Sequence, residues 1–225
     1  VELNAAVARV HTASEQDKAA PLQLTIEGGV EHEASHVIVA LPPALAVHAL
    51  SFDPPLDQAF LSVARQTPVW MGAIVKTVVT YERPFWRSRG LSGAGISQVG
   101  PLQEIHDLSP PKGAGTSGAL FGFTGLAPGS PAPSRSGVIA QLVRLFGEDA
   151  SQPTGFHQQD WSREPRTSPP GVTKLQDYDL FGHPAYRAGH WQDRLYFASC
   201  ETGGPDGHIE SALKASEHVA GRILK

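Results

Sequence analysis

The chain has 225 residues, of which 40% are hydrophobic and 18% are charged, so it can bury a core in one or two domains. Its formal net charge of -4 and the lack of a basic stripe exclude the electrostatic footprint of a nucleic-acid binder. Its one cysteine, Cys200, excludes an internal disulfide framework; with no apolar run of transmembrane length and no signal peptide, we expect a cytoplasmic protein with no membrane partner.

The first 41 residues read as three strands. The first contains Val7, and the second alternates apolar residues as far as the turn Glu27-Gly28-Gly29. The third, His36–Leu41, is a continuous apolar run, which is typical of a strand buried on both faces. Pro42-Pro43 ends it, because proline cannot continue a strand ladder.

Two short helices are predicted next, at Ala44–Leu50 and Leu56–Arg65, and then a strand at Gly72–Tyr81. The strand alternates, so Lys76 shares a face with apolar neighbours. A lone lysine in such a strand usually sits at an edge and extends its charge into water. Both a surface role and a buried functional role are open from the pattern alone.

The middle of the chain predicts more strands and one clear helix. Val138–Phe146 has the spacing of an amphipathic helix, and Gly147 is a suitable stop. Strands are predicted at Gly95–Val99, Glu104–Leu108, Ala119–Gly125 and Gly155–Trp161.

The closing stretch combines a strand, a turn and a helix. Leu195–Ala198 has the bulk of a buried strand, and residues 207–224 carry one apolar stripe with Asp206 as the predicted N-cap. Between them lie Glu201 and a turn rich in glycine. Free N–H groups at a helix start, together with a carboxylate, can hold an electron-rich ligand. Strand–turn–helix units with glycine are common in α/β proteins, so this pattern alone is a weak signal.

Three motifs stand out in the chain: R-L-Y-F-A-S-C-E-T at Arg194–Thr202, G-x-x-x-K-x-x-x-x-Y-x-x-P-F-W at Gly72–Trp86, and D-W-S-R-E-P at Asp160–Pro165. Together they resemble the FAD-dependent amine oxidase family, which comprises monoamine, polyamine and L-amino-acid oxidases. The first resembles the family's C-terminal flavin motif, and the other two match further family segments. The start of the chain is similar to V-x-L-N-x-x-V followed by V-I-V-A-x-P-P.

The resemblance implies a role for each matching residue. Lys76 would be catalytic and hold a water against the flavin N5, while Trp161 would pack beside the flavin, although a tryptophan is more often plain core. Val7 would pack near the adenine, and Glu201 would accept hydrogen bonds from the ribityl hydroxyls. Further cofactor contacts would come from Thr202, Gly207, His208 and Ile209.

The chain departs from the monoamine oxidases at the covalent and aromatic-cage positions. Gly171-Val172 replaces their Cys-Tyr pair, and His208 replaces the second cage tyrosine. We therefore expect FAD to be bound without a covalent link, and Val172 and His208 to contact the substrate. The histidines are spread singly, with no H-E-x-x-H and no Cys/His cluster, so no metal site is expected.

The dinucleotide fingerprint G-x-G-x-x-G does not occur in the chain. We expect an α/β (mixed α+β) fold in which residues 43–189 form a substrate domain with a mixed sheet and helices. Residues 1–42 and 190–225 would be the C-terminal portions of a discontinuous, Rossmann-like FAD-binding domain. A second chain that carries the fingerprint would complete it in a tight complex.

The function implied by the resemblance is oxidation of a small amine or amino acid by hydride transfer to FAD, with O2 as acceptor. The alternative is a non-catalytic subunit or fragment of the same fold that does not bind FAD. Retention of Lys76, Trp161 and Glu201 favours the enzyme, whereas loss of the fingerprint and the cage favours the alternative. The yellow colour of oxidised flavin would discriminate between them.

Overall fold

The structure, a computed structural model, describes residues 1–14, 17, 19–111, 115–127, 129–173 and 175–225. Over these residues the strands are β1 Val7–His11, β2 Leu22–Ile26, β3 Glu31–Ala34, β4 Val37–Val39, β5 Ser51–Asp53, β6 Ile74–Tyr81, β7 Gly95–Ile96, β8 Glu104–Asp107, β9 Gly118–Gly125, β10 Gly155–Asp160 and β11 Leu195–Phe197. The α-helices are α1 Pro43–Ala49, α2 Gln58–Gln66, α3 Phe85–Ser88, α4 Arg135–Phe146, α5 Cys200–Gly203 and α6 Ile209–Ile223.

The chain divides into two compact units. Unit 1 comprises Val1–Gly72 and Pro165–Lys225, and unit 2 comprises Ala73–Glu164. These boundaries differ from those predicted for the FAD-binding and substrate domains. The predicted domains were defined by what they bind, which compactness does not test, so that division stays a prediction.

Unit 1 contains a four-stranded sheet in the order β3-β2-β1-β5 and a separate parallel pair, β4 with β11. The hairpin between β2 and β3 turns at Gly28 and Gly29, whose φ angles of 101° and 89° favour glycine. The parallel pair joins two segments that are far apart in sequence. The apolar core of unit 1 includes Val10, Leu22, Phe60, Leu195 and Phe197.

The segment His36–Leu41, whose pattern predicts burial on both faces, is covered on one face only within the described part of this chain. Val37 and Val39 are buried, but Ile38 between them is 49% exposed. Among the described elements β4 pairs with β11 alone, and the face that carries Ile38 is left uncovered. In contrast, all three residues of β11 are buried.

Unit 2 is built on a five-stranded antiparallel sheet in the order β10-β6-β9-β8-β7. Helix α4 contributes Val138 and Leu142 to a core shared with Val79 and Leu120 from the sheet. Buried Gln141 fixes α4 through its amide, which donates to the Leu102 carbonyl and accepts from the Leu102 N–H, each at 2.8 Å. The other face of the sheet carries Lys76.

Candidate functional site

Lys76 lies between two aromatic rings. It follows the alternation predicted for its strand, in which every second residue is buried and Lys76 is partly buried. Its Nζ atom lies 5.5 Å from the ring centre of Trp161 and 5.9 Å from that of Phe123. The structure thus brings together the predicted pair, Lys76 and Trp161. Such contacts favour a cation through the negative faces of the rings.

Phe123 was not predicted as a site residue. It reaches Lys76 because β9 pairs with β6 in a register that sets Phe123 directly opposite Lys76. Alternating burial along Gly118–Gly125 places Phe123 on the same side as Phe121. The alternation is readable in the sequence, but the register against a strand more than forty residues away is not.

Trp161 lies immediately after β10, in a single turn of 3₁₀ helix, Trp161–Arg163. Asp160 caps this turn, because its Oδ1 accepts from the Ser162 N–H at 3.0 Å and from the Ser162 hydroxyl at 2.6 Å. The indole Nε1 of Trp161 is buried and has no hydrogen-bond partner among the described residues. A buried donor of this kind favours a nearby acceptor.

Glu201 is 1% exposed, and both of its carboxylate oxygens are bound within the chain. Oε1 accepts from the backbone N–H of Trp70 at 3.1 Å. Oε2 accepts from the Ser199 hydroxyl at 2.8 Å and from the Cys200 thiol at 3.2 Å. The carboxylate therefore ties α5 to the segment before β6, and its role toward ribityl hydroxyls stays a prediction.

Thr202 and Ser199 cap α5, a helix that the sequence did not predict. The Thr202 hydroxyl accepts from the Ser199 N–H and donates to the Ser199 carbonyl, both at 2.9 Å. Ser199 stands where the family motif has glycine, yet its φ of −126° is ordinary extended backbone. The backbone at this position does not need glycine.

Cys200 is a poor nucleophile in this setting. Burial and, to a lesser extent, the neighbouring Glu201 carboxylate together raise the pKa of its thiol to about 12. The thiol is therefore protonated at neutral pH. Because the thiolate is the reactive form, Cys200 has little capacity for covalent attachment.

The turn before α6 requires glycine at position 207. Gly207 has a φ of 65°, and a Cβ there would lie 2.5 Å from the Phe181 ring. The prediction that Asp206 is the N-cap is wrong: α6 begins at Ile209 and its N-cap is His208. Asp206 instead closes the turn, since its carboxylate accepts from the His208 N–H at 3.0 Å and from the Ser211 hydroxyl.

His208 packs against Trp70, another residue that the sequence did not single out. The two ring centres are 4.8 Å apart, and the ring centre of Tyr178 lies 6.0 Å from that of Trp70. The imidazole Nδ1 lies 2.6 Å from the Asp206 carbonyl oxygen, so Nδ1 carries the proton in this contact. The side chains of His208 and Ile209 are exposed.

Val172 packs against the backbone of Gly72. A Cβ at Gly72 would lie 2.8 Å from the Val172 methyl, so glycine permits this approach. Gly72 is two residues from Trp70, and thus one short segment carries the contacts of both predicted substrate residues, Val172 and His208. Whether they contact substrate stays a prediction.

Val7 lies in the wall of a cavity of about 340 Å³ within unit 1. The wall is mostly apolar and includes Val10, Leu24 and the exposed Ile38. Arg166, also in the wall, forms a bidentate ion pair with Glu27 at 3.0 and 3.2 Å, which lowers the pKa of Glu27. The cavity is large enough for a planar ring system.

In the described part of the chain, no three His, Cys, Asp or Glu side chains come together as metal ligands. None of the helices described is both long and apolar enough to cross a bilayer.

Residues 1–224 match the family described as flavin containing amine oxidoreductase. The chain belongs to this family. The α/β fold class and the resemblance noted in the sequence are therefore confirmed, and flavin is the cofactor of the family.

Relatives and solved structures agree with the family assignment. A Mycobacterium tuberculosis protein that carries the name flavin-containing monoamine oxidase AofH is 30% identical over 99% of this chain and 47% of its own length. The L-amino acid dehydrogenase of Synechocystis is 31% identical over 86% of this chain and 41% of its own. A putrescine oxidase variant with redesigned cofactor binding covers 100% of this chain with a TM-score of 0.79, at 25% identity. It matches over 49% of its own length, so the chain spans about half the length of these relatives.

The residues present fit a flavin in this amine oxidase chain. In unit 2, the indole N–H of Trp161 has no partner among the residues described, and the Trp161 ring centre lies 5.5 Å from the Lys76 ammonium group; this pair suits a ring system with acceptor atoms. In unit 1, α6 has fifteen residues, and its N-terminal end at His208 and Ile209 is exposed. The first N–H groups of a helix lack intrahelical acceptors and carry partial positive charge.

Proposed function

We propose that this chain supplies the substrate-facing part of an FAD-dependent oxidase that acts on a small amine or amino acid. The observation that carries the proposal is the Lys76 ammonium group held between Trp161 and Phe123, at 5.5 and 5.9 Å from their ring centres. A lysine that served only solubility would extend its ammonium group into water rather than hold it between two rings.

When bound, FAD would supply a hydride acceptor for the carbon that bears the amine, so that the overall reaction converts the amine and O2 to an imine and hydrogen peroxide. The protein contributes position and charge to this reaction rather than a covalent step.

Lys76 orients a water or O2 molecule and stabilises the negative charge that develops on the isoalloxazine. A fixed cation acts most strongly where a bound cofactor and aromatic rings exclude water and lower the local dielectric constant. Trp161 forms a wall beside the ring system and offers its free N–H. Phe123 keeps the lysine stem in place.

Unit 1 offers flavin contacts of its own through the C-terminal motif. The N-terminal end of α6 would place its positive partial charge near the pyrimidine side of a bound flavin, where reduction builds negative charge. Glu201 and Thr202 act mainly by fixing α5 and the turn, given that their side-chain oxygens are bonded within the chain. Gly207 has no side chain and would let the backbone approach the flavin closely.

The cofactor is held without a covalent bond, with its adenine end in the cavity lined by Val7. The family's covalent thiol is replaced at Gly171-Val172, and the high pKa of Cys200 keeps the remaining thiol protonated. The apolar wall of the cavity suits the faces of an adenine ring.

The catalytic unit is completed by a polypeptide segment that bears the dinucleotide fingerprint. Support comes from the uncovered face of β4, where Ile38 is exposed next to the apolar cavity. An apolar strand face of this kind favours a packed neighbour. The cytoplasmic location stays a prediction that rests on the single cysteine.

The test uses the native protein, isolated with any polypeptide that accompanies this chain. We expect a yellow preparation with a flavin absorption spectrum that bleaches when an amine or amino acid is added without oxygen. Readmitted oxygen should restore the colour and release one hydrogen peroxide per turnover. A colourless native protein that oxidises none of these substrates would instead identify the non-catalytic alternative.

A further inference from the structure

A second cavity, within unit 2, lies at the C-terminal end of β6. It has a volume of about 460 Å³, and Tyr81, the last residue of β6, lines it. Along an extended strand, Tyr81 is roughly 16 Å from Lys76, and the alternation of β6 places the two on opposite faces of the sheet. The cavity, called the Tyr81 cavity below, is therefore separate from the contacts of Lys76.

The floor of the Tyr81 cavity is aromatic. Tyr81 and Phe85 both line it, and they are only 3% and 4% exposed. Their rings pack edge to face with centres 5.2 Å apart, and the Tyr81 hydroxyl donates to the Ala150 carbonyl at 3.2 Å. These contacts fix both rings, so the floor is an apolar surface of defined shape.

The rim of the cavity is held by the backbone. Gly118 on β9 lets the chain at Arg83 approach closely, since a Cβ at Gly118 would lie 2.6 Å from the Arg83 carbonyl oxygen. The same oxygen accepts from the Phe85 N–H at 2.9 Å. Elsewhere on the rim, the Asp149 carboxylate is already paired with the Arg89 guanidinium. Asp149 therefore adds little net charge to the cavity.

Two opposite charges on this rim have no partner. Glu82 and Arg83 are consecutive, exposed residues that both line the cavity. Among the described residues, neither side chain forms a hydrogen bond or an ion pair, with the other or with a third residue. The Tyr81 cavity thus presents one unpaired carboxylate and one unpaired guanidinium above an apolar floor. A ligand that carries both charges and an apolar group is complementary to this arrangement.

We propose that the Tyr81 cavity binds an α-amino acid with an apolar side chain, in its zwitterionic form. The ligand's ammonium group pairs with Glu82, and its carboxylate pairs with the planar guanidinium of Arg83. Its side chain packs on the floor formed by Tyr81 and Phe85. Because this cavity is separate from Lys76, the bound amino acid is an effector rather than the molecule that is oxidised. The inference does not depend on the proposed function.

The test measures binding of α-methylleucine to the native protein by ligand-detected NMR. This amino acid has no hydrogen on the carbon that bears the amine, so an oxidase cannot turn it over by hydride transfer. Two truncated analogues are compared with it: in one, hydrogen replaces the ammonium group, and in the other, methyl replaces the carboxylate. We expect α-methylleucine to bind at least about tenfold more tightly than either analogue, because each adds or removes one charge-assisted contact.

Variants assign each charge of the ligand to one residue. Glu82→Gln should remove most of the advantage of α-methylleucine over the analogue that lacks the ammonium group. Arg83→Gln should remove most of its advantage over the analogue that lacks the carboxylate. Both side chains are exposed and unpartnered among the described residues, so neither change should affect folding.

Glu104→Gln and Arg144→Gln are the matched controls, because both residues are exposed in the same unit and lie outside the cavity. They should leave all three affinities within about threefold of the parent. A native protein that binds α-methylleucine no better than its analogues would overturn the proposal, as would an advantage that survives both Glu82→Gln and Arg83→Gln. Binding is measured equally on a yellow or a colourless preparation, so loss of the oxidase proposal would not decide this result.

Discussion

Replacing Lys76 by methionine separates the catalytic interpretation from a merely structural one. Methionine has a similar length and apolar stem but no charge. The partly buried lysine contacts two rings at 5.5 and 5.9 Å, and such contacts contribute about 0.5–1 kcal/mol each at solvent-accessible sites. In the variant, contacts between the methionine sulfur and the same rings contribute about 0.3–1.5 kcal/mol of stabilisation. Stability should therefore change by less than about 1 kcal/mol, a Tm shift of about 2–4 °C or less.

The expected effect on catalysis is much larger. Losing a preorganised charge at a reacting centre costs about 2.7–4 kcal/mol, which corresponds to about two to three orders of magnitude in rate. Stopped-flow absorbance of the complete enzyme measures flavin reduction by the amine without oxygen, and then reoxidation by oxygen. We expect Lys76→Met to slow at least one of these steps by about 100-fold or more.

Lys214→Met provides the control, because Lys214 is an exposed lysine whose ammonium lies 3.7 Å from the Glu210 carboxylate on α6. It should change neither rate. If Lys76→Met retained both rates within about threefold, the loss would be well under 1 kcal/mol. Lys76 would then be a surface lysine packed on two rings, and the catalytic reasoning would be refuted.

Three further outcomes are expected. Acid precipitation of the native protein should release all the flavin into the supernatant, and flavin retained on the denatured chain would contradict non-covalent binding. The Cys200 thiol, whose pKa is raised to about 12, should react with iodoacetamide at pH 7.5 far more slowly than free cysteine; equal rates would show that its burial is wrong. Asp107→Asn should destabilise the chain near neutral pH. Burial alone would raise the Asp107 pKa, but hydrogen bonds from Arg87, Ser109 and Trp86 lower it to about 2, and the side chain is 12% exposed. Since its folded pKa is depressed, this stabilisation, about 1–2 kcal/mol after solvent screening, is present above its unfolded pKa near 4 and is lost as the pH falls toward 2. Urea titrations of parent and variant at neutral pH and near pH 2 measure it, and an unchanged difference would contradict the assignment.

The sequence predicted the strands well where burial alternates with a period of two. For β6 the expected faces agree with the structure residue by residue, because each strand packs one side on a core and leaves the other open. The Lys76–Trp161 contact followed from the resemblance, which identified both residues as neighbours of one ring system. Local pattern and family motif were sufficient for these features.

Contacts between distant segments could not be predicted in this way. The bond from the Trp70 N–H to Glu201 spans 131 positions, and nothing local at Trp70 indicates it. The same holds for Phe123, which meets Lys76 through strand register. Asp206 failed as an N-cap for a local reason: an Asx-type bond to the His208 N–H competes with capping, and the helix begins later.

The parallel pairing of β4 with β11 has a consequence for biosynthesis. Residues 37–39 leave the ribosome more than 150 positions before residues 195–197, which are their strand partners. Unit 2, Ala73–Glu164, is contiguous and is fully synthesised in that interval, so it can fold while β4 still lacks β11. During this time the nascent chain displays an apolar strand with an open edge, which is the kind of segment that chaperones bind. Slow translation of residues 165–194 would prolong that exposure.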